Sequence, residues 1–183
     1  MFSHKFRNLL ILMISLYLLI TPSSKSQDVA NGQATANVLA ALSITATQDL
    51  NFGNVFQGVA KTVTNADAAN SGIFTITGEG GAGISVYITL PAYLATVTGD
   101  DRMNIAFSNT DCSVDSTNNV DPSAFGSGWQ NVDPNNLPTT LTVGTVGQNQ
   151  SAIFLGGKVI PSVDQKAGAY SGDIIATVAY NGT

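Results

Sequence analysis

At 183 residues, with seven basic and twelve acidic side chains and a formal net charge of −5, the chain is acidic and sparsely charged. Only 10% of its residues carry a charge, against about 25% in an ordinary soluble domain, so the clustered Lys and Arg that nucleic acid or an anionic membrane would require are missing. One cysteine, Cys112, excludes an internal disulfide.

The first residues read as a secretory signal peptide: Lys5 and Arg7 give a basic start, 9–20 an apolar core, and Ser24-Lys25-Ser26 a small-x-small cleavage site before Gln27. The apolar stretch runs for about a dozen residues, short of the roughly 20 that a spanning helix needs. Cleavage would leave 157 residues, one domain by length. All twelve acids would remain, with only Lys61, Arg102, Lys158 and Lys166 opposing them, for a mature net charge of −8. The expected mature protein is exported, soluble or surface-assembled, with nothing left to span a membrane.

Beyond the signal the patterning has period two, the spacing of half-buried strands. Apolar residues fill every even position at Ala34, Ala36, Val38, Ala40, Leu42, Ile44 and Ala46, which predicts a first strand over 34–46. Leu50, Phe52 and Val55 flank Gly53, a bend between strand pieces. Further strands are expected at 73–77, at 84–90 before Pro91, at 103–107, near Leu141 and Val143, and over 153–160. The last spans 173–180, with Ile174, Ala176, Val178 and Tyr180 on one face and Gly168, Tyr170 and Gly172 leading in. About seven to nine short strands between Gly, Asn and Pro turns predict an all-β, antiparallel, immunoglobulin-like sandwich. It would occupy 27–183 as a single domain, with 27–36 as an N-terminal arm.

The stretch 109–138 breaks the pattern and predicts a long polar loop, rich in Asp, Asn, Ser and Pro, around the single tryptophan, Trp129. Long loops cost ordering entropy and are commonly functional. Trp129 is open to two readings here: tucked against the sandwich, or presented to a partner. Cys112 reads as a small, partly buried residue, with an intermolecular link as the alternative.

Candidate chemistry is thin. Gly78-Glu79-Gly80-Gly81-Ala82-Gly83 has the letters of a dinucleotide loop, but that loop needs a helix directly after it, so that the helix amides can meet the pyrophosphate. The next residues are instead the alternating run 84–90, so a glycine-rich turn between strands accounts for the motif. The only histidine, His4, lies in the signal, which removes Ser-His-Asp and Cys-His catalysis and any His-containing zinc site from the mature chain. Asp100 and Asp101 read as a turn beside Gly99. Asp111, Asp115 and Asp121 depart from the calcium-loop spacing, having Ser113 at its third position. No enzyme activity, metal or cofactor is expected.

The two amphipathic runs at the ends of the mature chain are harder to set aside, because an apolar strand with an unpaired edge is an aggregation hazard and must pair with something. The first run can pair within its own sandwich or, with the arm before it, in the groove of a neighbour; the pattern leaves both open.

Certain segments carry a resemblance. Ala34-Thr35-Ala36-Asn37-Val38, Leu42-Ser43-Ile44 and Leu50-Asn51-Phe52-Gly53 open the mature chain, and Leu155-Gly156-Gly157-Lys158-Val159, Ala167-Gly168-Ala169-Tyr170-Ser171-Gly172 and Thr177-Val178-Ala179-Tyr180-Asn181 close it. With these the chain resembles an uncharacterised bacterial secreted family that carries a fimbrial-type, immunoglobulin-like domain of unknown function. Its last strand is also similar to that of chaperone–usher pilins, in which a glycine precedes a tyrosine by twelve residues, as Gly168 precedes Tyr180. The resemblance implies docking of that strand on a periplasmic chaperone and completion of each subunit by a neighbour's arm.

The expected function is therefore a structural subunit of a bacterial surface filament, joined by β-strand addition between copies of itself or related subunits. Val38, Leu42 and Ile44 are the expected anchors of the first strand, and Gly168, Tyr170, Ile174, Val178 and Tyr180 the expected accepting or chaperone-facing side. The alternative is a monomeric secreted or surface module that binds a glycan or protein through 109–138 and Trp129.

Overall fold

The computed structural model describes residues 4–18, 28–124 and 126–182. Helix α1, His4–Leu18, carries the apolar stretch of the expected signal, and the expected cleavage site at 24–26 lies outside the described residues. No helix among the described residues is long and apolar enough to cross a membrane. The chain divides into two units, 1–37 and 38–183, and all strands belong to the second.

That unit is an antiparallel β-sandwich of three sheets. Sheet A orders β1 (Ser43–Gln48), β3 (Gly72–Thr77), β10 (Gln150–Leu155), β7 (Cys112–Asp115) and β8 (Trp129–Val132). Sheet B orders β12 (Tyr170–Ser171), β5 (Tyr93–Thr96), β6 (Arg102–Ala106), β11 (Gly157–Ile160) and β2 (Lys61–Val63). Sheet C orders β13 (Ile175–Tyr180), β4 (Gly83–Thr89) and β9 (Leu141–Thr142). Thirteen short strands are present among the described residues where seven to nine were expected, because one expected run is divided between two sheets and β2, β5, β7, β8 and β12 are pieces of two to four residues, too short to show a period. The divided run is 153–160: it serves sheet A as β10, breaks at Gly156, and serves sheet B as β11.

Side-chain alternation builds two cores. Phe74, Ile76, Ile153, Leu155 and Val114 of sheet A meet Ile84, Val86 and Ile88 of sheet C in one cluster. Phe52, Val63, Met103, Ile105 and Val159 form the second, largely from sheet B, and Phe107 packs against both. Sheet A is buried on its other face as well, where Ile73, Ala152 and Phe154 cluster under Trp129.

Two expectations need correction. The first strand is shorter than 34–46: only Ser43–Gln48 pairs, antiparallel to β3, and residues 28–41 are exposed without strand structure. Alternation alone does not supply the neighbour that holds a strand. The segment 109–138 is likewise not one long loop, because β7 and β8 lie within it and β7 sits buried between β10 and β8. Its four residues, Cys-Ser-Val-Asp, alternate too briefly to register against the surrounding Asn and Asp.

Gly156 turns the chain between sheets where backbone crowds it: a Cβ there would lie 2.5 Å from the Val63 carbonyl oxygen and 2.6 Å from the Asn65 nitrogen. Gly156→Ala is expected to destabilise the fold by about 1–3 kcal/mol, read as a fall in the denaturant midpoint of unfolding. Cys112 is fully buried, and burial, with Asp133 nearby, pushes its thiol up to about 12. It is expected to resist thiol reagents in the native protein and to react once urea unfolds the chain, which a thiol titration checks.

Candidate strand-accepting groove

The first and last strands are both sheet edges. β1 pairs only with β3, and β13 only with β4, so each has one side without a strand partner among the described residues. These two open sides approach each other. Ser43 lies opposite Thr77 and Tyr180 opposite Ile84, on either side of the β3–β4 turn, so β1 runs away from that turn and β13 runs toward it. Leu42, Ile44, Ile174, Ala176, Val178 and Tyr180 are half-buried against the first core without completing it.

At the turn end the strands are tied together. The Tyr180 hydroxyl donates to the Ala40 carbonyl at 2.9 Å and accepts from the Glu79 amide at 2.7 Å, and a Glu79 carboxylate oxygen accepts from the Ala40 amide at 3.2 Å. At the other end the walls part around a cavity of about 1480 Å³. Leu50, Phe52 and Val55 line one side, Tyr170 and Ile174 the other, and Phe74, Met103 and Ile105 the floor. The pieces around Gly53 are not strands, yet their apolar side chains build this wall.

A polar latch holds the wall that contains Tyr170. One oxygen of Asp101 accepts from Gln165 Nε2 at 2.8 Å, from the Lys166 amide at 2.9 Å and from the Tyr170 hydroxyl, and its other oxygen accepts from the Arg102 amide at 2.9 Å. Gln165 is buried. The Tyr170 hydrogen bond, followed by the Lys166 amide, holds the Asp101 carboxyl below the usual carboxylate range, and burial pushes the Tyr170 phenol up. Beside it, Asp100 is lowered by the hydroxyls of Thr96 and Thr98 and by Lys166, whose ammonium lies 3.2 Å away in an exposed ion pair.

The expected site residues thus separate. Leu42, Ile44, Tyr170, Ile174, Val178 and Tyr180 gather along the groove. Gly168 belongs to the cavity wall but to no strand, and Ile174 lies between β12 and β13. Val38 stands apart, 90% exposed, before the point where Ala40 is tied. Trp129 opens strand β8 and stacks on Phe154 with ring centroids 5.2 Å apart. Glu79 and Asp101 carry no signal in a pattern reading, since their partners lie far along the chain. The acids at 111, 115 and 121 form no metal-holding group among the described residues. Asp115 is instead buried, accepting from the Thr117 amide and hydroxyl and from Asn119.

Residues 42–180 match the family described as a domain of unknown function, DUF4402. The chain belongs to this family. No curated protein matches it. The boundaries of the DUF4402 domain coincide with the groove: the match begins at Leu42, just after the tied Ala40, and ends at Tyr180, which does the tying. The exposed residues 28–41 lie outside it.

A carboxyl whose pKa is lower in the folded chain stabilises the fold above the ordinary carboxylate range and loses that contribution as pH falls toward its folded value. The latch is therefore expected to hold at neutral pH and to weaken below about pH 4. Protection factors of amides in 161–170, taken against the intrinsic exchange rate at each pH, should fall in that acid range in the parent protein. In Asp101→Asn they should be lower already at pH 7, with less acid dependence.

Proposed function

We propose that this chain is a structural subunit of a bacterial surface filament or fimbria-like assembly, joined by β-strand addition between subunits. One observation carries the reading: two edge strands flank a groove of mixed polar and apolar lining whose opposed sides lack a strand between them. Such edges are ordinarily covered, twisted away or charged, whereas β1 and β13 contain no charged residue. Where the two edges part, an added strand would pair with them and complete the half-buried core, the physics of recognition by strand augmentation.

The donor is the exposed arm before the domain, with Val38, Ala36 and Ala34 as its alternating apolar anchors. Burying Val38 would contribute about 1.5–3 kcal/mol. Leu42 and Ile44 already pack on their own core and belong to the accepting side. The pilin-like spacing of Gly168 and Tyr180 fits this arrangement, as does a periplasmic chaperone that covers the groove before assembly. Export by the signal at 1–26 completes the reading.

The alternative, a binding module that uses 109–138, draws less support because β7 and β8 are part of sheet A and Trp129 packs on Phe154. Protein sheared from cells is expected to show filaments by negative-stain electron microscopy, with a ladder on unheated denaturing gels that collapses on boiling. Deleting 27–36 should abolish the ladder while leaving the circular dichroism of the domain unchanged. A ladder that survives this deletion would refute the donor arm.

A further inference from the structure

We infer that Tyr180, Glu79 and Gly78 form a clasp that pins the root of the arm and directs it into the groove of a second copy of this chain rather than into its own. The inference rests on the strand-addition reading. Both backbone groups of Ala40 are engaged: the carbonyl by the Tyr180 hydroxyl at 2.9 Å and the amide by Glu79 at 3.2 Å. Gly78 leaves room for this, since a Cβ there would lie 2.5 Å from the Tyr180 hydroxyl oxygen. Glu79 is the only glutamate of the whole chain.

Direction is set by strand polarity. The clasp stands at the start of β1 and the end of β13, and the cavity opens at the opposite ends of both. The chain therefore leaves the domain, at Leu39 and Val38, from the closed end of its own groove. To fill that groove the arm would have to reverse around Ala40 as a tight hairpin, antiparallel to β1 and parallel to β13. Such a reversal would have to swing the backbone of Ala40, and the clasp holds both its carbonyl and its amide where they are.

A second copy meets no such obstacle. Its arm enters at the open end, where Phe56 stands 76% exposed at the cavity mouth. Val38 of the arm then lies near Ile174, and the residues before it extend toward the clasp, antiparallel to β13 and parallel to β1. The stretch 28–38 spans about 35 Å when extended, longer than the six residues of β13 beside it. Its small apolar positions, Ala34 and Ala36, suit a groove that Leu42, Ile44 and Val178 already partly fill. Closed end against open end is a heterologous contact that does not close on itself, so it propagates as a filament.

Paired cysteines test this, Cys112 being buried and silent. In the parent, Val38→Cys with Ile174→Cys is expected to give an intermolecular disulfide ladder on non-reducing denaturing gels. Val38→Cys with Val178→Cys should give little intramolecular product. Adding Tyr180→Phe and Glu79→Leu, which remove the hydroxyl and the accepting carboxylate, should reduce the ladder roughly five- to tenfold, as loss of one or two hydrogen bonds allows, and raise the intramolecular product. Thermal melts would show that these variants still fold. A ladder unchanged by the clasp variants overturns the clasp and leaves strand addition standing. Intramolecular product predominating in the parent overturns the direction assigned here, and no cross-link of either kind overturns both the inference and strand addition.

Discussion

An unpaired strand edge beside apolar surface is the constraint on which the rest of this structure depends. Backbone amides and carbonyls need partners, and in sheets A and C every strand but those at the borders has two. β1 and β13 are the exceptions that face each other, and their half-buried side chains point into a core that stops short of complete. The cavity at their far end is the same shortfall seen in volume rather than in hydrogen bonds. A domain so arranged gains from any extended segment that supplies both a ladder and a row of small apolar side chains, and the arm before Ala40 has that composition.

The two faces of sheet A are sealed by contrast. Sheet A is covered on both faces, with Phe154 and Ile153 of the same strand wholly buried on opposite sides. Trp129 provides part of the outer cover, and the buried Asp115 orders the turns after β7 by accepting from Thr117 and Asn119. The polar character of this stretch, which in a sequence suggests a mobile excursion, is the chemistry of turns that satisfy their own backbone.

Polar anchors hold both ends of the seam between β1 and β13. At one end Tyr180 and Glu79 grip Ala40, and at the other Asp101 gathers Gln165, Lys166 and Tyr170. The clasp is exposed and contributes little to stability, and the latch is buried chiefly at Gln165. Their effect is positional. They fix where the groove is closed and where it is open, which a purely apolar seam would leave free to slide.

Much of this was legible in the sequence, and the reason is periodicity. The runs that became β4, β6 and β13 alternate because one face of each meets a core, and that pattern is local. The glycine-rich turn at 78–83 was readable for the same reason, as an alternating strand rather than a helix comes after it. The run 34–46 shows where local information stops. Its alternation is continuous, yet only Ser43–Gln48 found a partner, because pairing depends on the reach of β3 and not on the run itself. Strand β7 was hidden by its brevity and polar neighbours, although tertiary packing placed it inside the central sheet. The clasp and the latch join residues 39 to 140 positions apart, and no short-range pattern records such a meeting. The sequence by itself determined an acidic, mostly β chain with amphipathic strands at either end. Only the tertiary structure decided that those strands face each other unpaired, because which edges remain open depends on how many strands the whole chain brings to each sheet.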